Sequence, residues 1–315
     1  MINYKPQIAT VIKCTRNQYQ VDFKGKRIVC NIRGKLFDLA NKDPLSVKVG
    51  DKVIIHQISV SEGIIEKVLE RRSKLSRSVE GKAYREHIIA TNIDQIIVIM
   101  STQNPSFKSG LLDRYLIIAE KNSIPAKICI NKIDLKEKED FENYLFWYSK
   151  LGYPFFFTSA KNGTGKEELK SILKDKTSIL VGHSGVGKSS LIKSIEPGLD
   201  LKVATTTSNK SKKGIHTTSY VQLFTLSFGG YIIDTPGIKD LGLWGIFKDD
   251  LQKYFIEFMQ FTNNCQFKDC RHLVEPGCRI MKAIEAGEIF WERYHNYQNI
   301  YKSLRSAPYE LIKFR

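Results

Sequence analysis

One feature limits what this chain can fold into more than any other: a glycine-rich run that fits the pattern G-x-x-x-x-G-K-[ST]. It reads Gly182-His183-Ser184-Gly185-Val186-Gly187-Lys188-Ser189, after an apolar strand predicted at 178–181 and before a helical run that begins at Ser190. Glycines let backbone N–H groups turn inward around a phosphate, and the helix adds the positive end of its dipole. The run therefore predicts a nucleotide-binding loop of an α/β domain, in which Lys188 bridges the β- and γ-phosphates and Ser189 binds Mg²⁺.

Two motifs upstream indicate which base the nucleotide carries. The first, N-K-x-D, is Asn131-Lys132-Ile133-Asp134 and follows a strand predicted at 126–130. The second is Ser159-Ala160-Lys161, which follows a strand predicted at 155–158 and resembles the S-A-K loop that supports guanine through backbone contacts. The carboxylate of Asp134 can accept hydrogen bonds from the N1–H and exocyclic amine of guanine, whereas adenine has no such donor pair. Because both motifs stand at the carboxyl ends of strands, they predict one guanine pocket.

A third motif, D-x-x-G, lies downstream of the phosphate loop. It reads Asp234-Thr235-Pro236-Gly237 and ends a strand predicted at 231–233. We expect Asp234 to hold Mg²⁺ through water and the Gly237 N–H to contact the γ-phosphate. The polar stretch 204–219 should supply a threonine to the same Mg²⁺, and this threonine is Thr217 or Thr218.

The residue that positions the attacking water is not the usual one. Many P-loop GTPases place a glutamine directly after D-x-x-G, whereas this chain has Ile238 there, which cannot orient water. His216, beside the candidate threonines, is our predicted substitute, and the alternative is that His216 only contacts RNA or solvent. Slow intrinsic hydrolysis is the expected consequence.

The order of the motifs predicts a circular permutation. A Ras-like GTPase runs from the phosphate loop through the threonine switch and D-x-x-G to N-K-x-D and S-A-K, whereas here the last two come first. The same sheet can still form, because a few residues join a helix predicted at 166–174 to the strand at 178–181. The chain leaves this domain soon after Gly237, so loss of γ-phosphate contacts is expected to act directly on the C-terminal region.

The chain divides into a multidomain architecture. Residues 1–72 predict an OB-fold β-barrel of five short strands, at 8–12, 19–23, 28–32, 52–55 and 64–68. The basic segment 73–90 is interpreted as a linker. Alternating strands and helices over 91–247 predict the central circularly permuted α/β GTPase domain, and 248–315 is predicted to be a mostly α-helical zinc-binding domain.

Three of the six cysteines fall between 265 and 278, and they predict a metal site. The ligand set is Cys265, Cys270, His272 and Cys278, spaced C-x₄-C-x-H-x₅-C. Three thiolates and one imidazole match a closed tetrahedral site for one structural Zn²⁺. The absence of a secretion signal argues against disulfides, and the other three cysteines are interpreted as core residues.

The net charge of +16 over 315 residues bears on which partners the protein binds more than on how it folds. Charge alone leaves a solvated lysine-rich surface and a polyanionic partner equally open. Residues 1–72 contain 14 Lys and Arg against 7 Asp and Glu, a net of +7. No apolar run approaches the about 20 residues of a membrane span, so we expect a soluble, cytoplasmic protein without a membrane partner.

Together these motifs resemble the circularly permuted ribosome-associated GTPases called ribosome small-subunit-dependent GTPase A, or YjeQ. The resemblance covers nearly the whole chain and includes Cys30-Asn31-Ile32-Arg33-Gly34-Lys35, Leu75-Ser76-Arg77, Gly214-Ile215-His216-Thr217-Thr218 and the cysteine cluster. It implies GTP hydrolysis to GDP and phosphate, stimulated by the small ribosomal subunit during its late maturation. It also implies that the OB-fold domain at 1–72 binds RNA and that the protein contacts that subunit's rRNA. We expect a monomer.

Two other classes remain open from the sequence. One is a nucleotide-gated RNA-binding module whose hydrolysis is incidental, which slow unstimulated turnover would favour. The other is a P-loop ATPase or small-molecule kinase, against which N-K-x-D and S-A-K argue.

Overall fold

A computed structural model describes residues 6–15, 18–32, 47–78, 86–136, 139–199, 221–234, 243 and 245–306. Its first domain is a five-stranded barrel, as the sequence predicts. The strands are β1 Gln7–Cys14, β2 Tyr19–Phe23, β3 Lys26–Ile32, β4 Lys52–Gln57 and β5 Glu62–Val68. They are hydrogen-bonded in the order β1-β2-β3-β5-β4, and β4 pairs with β1 to close the barrel. Val11, Val21, Ile28, Val53 and Ile65 are fully buried in its interior.

The segment 73–90 differs from the linker expected at that position. It contains β6 Lys74–Ser78 and most of β7 Glu86–Thr91, which form an antiparallel pair. Leu75 and Ala90 are fully buried and Ile89 nearly so, in the same core as the α/β domain. Burial of these apolar side chains stabilises the pair despite the many charges around it.

A parallel sheet forms the centre of the α/β domain. The strands are β8 Gln95–Ser101, β9 Ala126–Asn131, β10 Phe155–Thr158, β11 Thr177–Val181, β12 Gln222–Thr225 and β13 Tyr231–Asp234. They lie in the order β10-β9-β8-β11-β13-β12, parallel except for β12. All seven residues of β8 are buried, as expected for a strand covered on both faces. The carboxyl ends of β8 to β11 and of β13 therefore meet at one edge.

In the described part of the domain, four helices cover this sheet. They are α1 Ser109–Lys121, α2 Glu142–Lys150 after a 3₁₀ turn at Glu139–Phe141, α3 Lys166–Leu173 and α4 Lys188–Ile195. In α3, Leu169 and Leu173 are buried one helical turn apart, and the glutamates of the first turn favour the helix N-terminus.

The barrel is fixed to the α/β domain around Asp51, which is fully buried. The Asp51 carboxylate accepts hydrogen bonds from Arg71 Nε (2.7 Å) and from Thr91 Oγ1 (2.7 Å). Its neighbour Gly50 has a φ of +94°, and a Cβ there would overlap the carbonyl oxygen of Thr91. A side chain at residue 50 would therefore force the backbones of residues 50 and 91 apart where the two domains meet.

The C-terminal region is helical, as predicted. It contains 3₁₀ segments at Lys248–Tyr254 and Ile256–Phe258, then α5 Met259–Thr262, α6 Arg279–Glu285 and α7 Trp291–Ser303. One face of α7 buries Tyr294, Tyr297 and Ile300. Among the described residues, none of the helices has the length and apolar character needed to cross a bilayer.

A buried polar network joins the C-terminal helices to α1. Arg293 of α7 donates to both carboxylate oxygens of Glu257 (Nη2 to Oε2, 3.0 Å) and to Asp113 Oδ1 of α1 (2.6 Å). Tyr148 Oη and Asn296 Nδ2 also donate to Asp113, at 2.8 and 2.7 Å. Burial raises the pKa of Asp113 to about 6, although the charge of Arg293 lowers it. Because Arg293 pairs with both carboxylates, the cost of their desolvation is partly offset.

Candidate nucleotide and metal sites

Three loops meet at the carboxyl edge of the parallel sheet and line an open cavity of about 510 Å³. The N-K-x-D motif contributes Asn131, Lys132 and Asp134 to its lining. The S-A-K motif contributes Ala160 and Lys161, and the phosphate loop contributes Gly187 and Ser190. Ile133 and the remaining phosphate-loop residues stand beside these in the same loops. The structure therefore brings together three motifs that lie far apart in the sequence.

Asn131 ties the base-side motif to the phosphate loop. Its Nδ2 donates to the carbonyl oxygen of Val186 (2.8 Å), and its Oδ1 accepts from Thr158 Oγ1 (3.1 Å). The side chain is 1% exposed, so both bonds are protected from water. Gly187 has a φ of +96°, and a Cβ there would overlap Asn131 Nδ2. Glycine at this position is thus needed for the conformation and for the close approach.

Ser159 fixes the carboxylate of Asp134. Its Oγ donates to Asp134 Oδ1 at 2.5 Å and accepts from the Lys161 N–H at 3.3 Å. Because one oxygen is held by the neighbouring loop, the carboxylate has a set orientation at the cavity wall. This arrangement suits recognition of two adjacent N–H donors.

The phosphate loop turns tightly between β11 and α4. Gly182 and Gly185 have positive φ angles of 148° and 83°, and a Cβ on Gly182 would overlap the carbonyl oxygen of Ile99. The Lys188 ammonium folds back over the loop and donates to the carbonyls of Gly182 (2.6 Å) and His183 (2.9 Å). Its charge therefore lies above the loop at the start of α4, where a phosphate would be bound.

Sequence reasoning missed part of the cavity wall. Asn104 and Leu135 also line the cavity, and the Lys132 ammonium donates to the carbonyl oxygen of Asn104. The segment that carries Asn104 follows β8 and is held by Ser101 Oγ, which donates to the Pro105 carbonyl (2.6 Å). The sequence signal that could have identified Asn104 is its position shortly after β8, whose carboxyl end lies at the same edge of the sheet.

The residues predicted for hydrolysis are only partly described. Asp234 ends β13, which is parallel to β11, so its backbone lies at the same edge as the phosphate loop. His216, Thr217, Thr218 and Gly237 lie outside the described residues.

The cysteine–histidine cluster is assembled as the spacing predicts. Ligand atoms of Cys265, Cys270, His272 and Cys278 all lie within 4.8 Å of one another. His272 Nδ1 is 3.7 Å from Cys265 Sγ and 3.5 Å from Cys278 Sγ, and Gln252 Oε1 accepts a hydrogen bond from the other ring nitrogen. This bond leaves the Nδ1 lone pair directed at the thiols, which suits a metal ligand.

The thiols of this cluster are mostly buried, and burial shifts their acidity. It raises the pKa of Cys270 to about 12 and also raises the pKa of Cys278. Thiols in such a place remain neutral unless a cation offsets their charge, and Zn²⁺ deprotonates the thiols that bind it. The donor set therefore fits one zinc ion, with all four positions taken by protein.

The fold, the three converging loops and their order in the chain define a circularly permuted P-loop GTPase. The family model for the RsgA GTPase matches residues 68–244. The chain belongs to this family, and it is an enzyme that hydrolyses GTP.

Curated relatives and solved structures agree with this membership. The small ribosomal subunit biogenesis GTPase RsgA of Chlorobaculum parvum is 44% identical over 82% of this chain and 85% of its own length. The protein of the same name from Thermotoga maritima is 41% identical over 89% of this chain and 90% of its own length.

The crystal structure of YjeQ from Thermotoga maritima has a TM-score of 0.78 and 37% identity, covering 95% of this chain and 99% of that one. The structure of YloQ, a circularly permuted GTPase, has a TM-score of 0.74 and 30% identity, covering 96% of each chain. The resemblance and the fold class inferred from the sequence are thereby confirmed.

Proposed function

We propose that this chain acts in biogenesis of the small ribosomal subunit, and that contact with the subunit and its rRNA stimulates its GTP hydrolysis during late maturation. The observation that carries the proposal is the coincidence of a guanine-type cavity with relatives that are named small ribosomal subunit biogenesis GTPases. We further propose that it acts as a monomer in the cytoplasm.

GTP occupies the cavity with its base against Asp134 in this proposal. The Asp134 carboxylate accepts from guanine N1–H and N2–H₂, while Lys132, Ala160 and Lys161 flank the base. The phosphates lie on the loop from Gly182 to Ser189, and Lys188 moves from the loop carbonyls to the β- and γ-phosphates. The hydrogen bond between Asn131 and Val186 supports this geometry, because it holds the base and phosphate subsites in a fixed relation.

Mg²⁺ and Zn²⁺ have separate roles in the proposal. Ser189, with Thr217 or Thr218, would bind Mg²⁺ directly, and Asp234 would do so through water. Mg²⁺ neutralises charge on the phosphates when it is bound. Zn²⁺ at the cysteine–histidine cluster is structural, since the protein supplies all four ligands.

His216 positions the attacking water, because Ile238 cannot. Replacing His216 by alanine should leave GTP affinity unchanged and remove subunit-stimulated turnover. An unchanged stimulated kcat in the His216→Ala variant would exclude His216 from the mechanism and favour a contact with RNA or solvent.

The barrel is the proposed contact with rRNA. The turn between β2 and β3 exposes Lys24, Lys26 and Arg27 together, and the chain has a net charge of +16. Phosphate contacts of this kind weaken steeply as salt rises, so binding to the subunit should do the same.

The test of the proposal is the rate of GTP hydrolysis with and without purified small ribosomal subunits, with large subunits as the matched control. We expect the small subunit alone to raise kcat. Equal rates in all three conditions, together with tight GTP-dependent RNA binding, would favour a nucleotide-gated RNA-binding module instead. Competition by ATP as effective as that by GTP would favour an ATPase or small-molecule kinase.

A further inference from the structure

The hairpin of β12 and β13 lies between the barrel and the nucleotide site. β13 ends at Asp234, the first residue of the D-x-x-G motif. β12 pairs antiparallel with β13, so that Gln222 is opposite Asp234 and Thr225 is opposite Tyr231. In sequence, β12 follows the polar stretch that contains the candidate threonines. Both ends of this hairpin contact the barrel.

The first contact is a strand pairing next to Asp234. Gln222 pairs with Lys13 of β1 on one side and with Asp234 on the other. Adjacent strands lie about 4.8 Å apart, so the barrel backbone at Lys13 is about 10 Å from the backbone of Asp234. A shift of β1 at Lys13 is therefore transmitted to the backbone of Asp234 through one residue, Gln222.

The second contact is a hydrogen-bonded carboxylate at the other end of the hairpin. Asp22 of β2 accepts from Tyr231 Oη at 2.9 Å and from Thr225 Oγ1 at 3.4 Å, both on Oδ2. Its Oδ1 accepts from the Gly25 N–H at 2.8 Å, inside the turn between β2 and β3. Asp22 is 7% exposed, so solvent competes little for these bonds.

The surroundings of Tyr231 also hold it in place. The Lys52 ammonium of the barrel lies 5.9 Å from the Tyr231 ring centroid, and it donates to Thr10 Oγ1 at 2.7 Å. The same turn that fixes Asp22 exposes the basic side chains Lys24 and Lys26. A continuous set of contacts thus runs from that basic turn through Asp22 and Tyr231 along β13.

We propose that Asp22 and Tyr231 are positioning residues for GTP hydrolysis. Through them, RNA bound at the basic turn between β2 and β3 determines the position of β13, the strand that ends at Asp234. The inference rests on the proposed function, because it assigns the route by which the subunit raises the rate. RNA that binds one arrangement of this turn more tightly also favours the arrangement of β13 that is bonded to it. The free energy of this coupling is limited by the strength of the bonds that join the turn to β13.

Tyr231→Phe tests this directly, because it removes the hydroxyl and retains the ring. The matched control is Tyr153→Phe, which also removes a hydroxyl bound to a carboxylate, Glu120 Oε1 at 2.8 Å, but lies away from the hairpin. Loss of one such bond corresponds to about a fivefold effect, so subunit-stimulated kcat should fall about fivefold in Tyr231→Phe. Basal kcat, KM for GTP and affinity for the subunit should change less than about twofold.

Two further variants separate positioning from folding. Asp22→Ala should lower stimulated kcat at least as much as Tyr231→Phe, because it also removes the bonds from Thr225 Oγ1 and the Gly25 N–H. The double variant should show no loss beyond that of Asp22→Ala, since the bond between Asp22 and Tyr231 is already absent there. Asp22→Asn retains an acceptor oxygen and should recover at least part of the stimulation.

The outcomes distinguish the coupling from the function beneath it. If the small subunit stimulates kcat of Tyr231→Phe as strongly as that of Tyr153→Phe, the coupling is wrong and the proposed function is unaffected. A parallel fall of basal and stimulated rates also overturns it, because that pattern indicates only a loss of structure. Absence of stimulation in the unchanged protein overturns the proposed function and the coupling together.

Discussion

Replacing Arg293 by methionine should destabilise the contact between the C-terminal helices and α1 more than any surface charge substitution. Arg293 is 1% exposed and is the cation shared by the carboxylates of Asp113 and Glu257. Methionine leaves both carboxylates buried without an opposite charge. Breaking a buried pair in this way costs about 3–5 kcal/mol.

Two other variants set the scale. Arg293→Lys retains the charge but loses the planar fork, so it should cost about 1–3 kcal/mol. Lys253→Met removes the ion pair with Asp250, in which Lys253 is 61% exposed and Asp250 only 7%, and should cost about 1–3 kcal/mol, less than Arg293→Met because only one carboxylate loses its cation.

Urea unfolding, monitored by tryptophan fluorescence, measures these differences in unfolding free energy near the contact between the C-terminal helices and α1. Trp147 stacks on Phe290 with ring centroids 5.5 Å apart, and Trp291 begins α7, so both report on this contact. If Arg293→Met costs no more than Lys253→Met, the network does not hold the C-terminal helices. Replacing Arg293, Asp113 and Glu257 together by apolar residues should recover only part of the loss, because no unpaired charge is left but Tyr148 Oη and Asn296 Nδ2 lose their acceptor on Asp113.

Three further predictions concern other parts of the molecule. Removal of zinc by a chelator should lower the thermal midpoint and the hydrogen-exchange protection of residues 265–285 without changing GTP affinity more than about twofold, as isothermal titration would show. Gly187→Ala should weaken GTP binding at least about tenfold, measured with a fluorescent GTP analogue, because its Cβ overlaps Asn131 and its φ is positive. The pKa of Asp113 is raised to about 6 in the folded protein, so the stabilisation from its protonation is complete below about pH 3.8 and is lost as pH rises through 6. The unfolding free energy of the unchanged protein relative to Asp113→Asn should therefore fall between pH 4 and 6, and a constant difference would contradict the shifted pKa.

Much of the architecture was predictable because its signals are local. Gly25 lies in the turn between β2 and β3 and Gly50 lies just before β4. β10 spans the predicted residues 155–158, and α3 begins at the predicted residue 166 and ends one residue before the predicted 174. The phosphate loop and the cysteine cluster are defined by residue type and spacing alone. The structure brings together the four cluster residues that the spacing indicates.

The elements that the sequence did not predict depend on partners that lie far away along the chain. β12 has only four residues, Gln222–Thr225, and it is stabilised by pairing with β13 and with Lys13 of the barrel. Segment 73–90 reads as basic and polar, yet its strands pair because Leu75 and Ala90 reach the core of the next domain. Arg293 looks like a surface residue until α1 supplies Asp113, 180 residues away in the sequence.

The central claim is that the cavity bounded by Asn131, Asp134 and Gly187 holds a guanine nucleotide. Competition binding of GTP and XTP to the full chain and to its Asp134→Asn variant tests it most directly. An asparagine offers a donor where the aspartate accepts, so the variant should lose GTP affinity and gain affinity for XTP, whose base carries a carbonyl at that position. Unchanged preference for GTP in Asp134→Asn would show that the base lies elsewhere and would contradict the account.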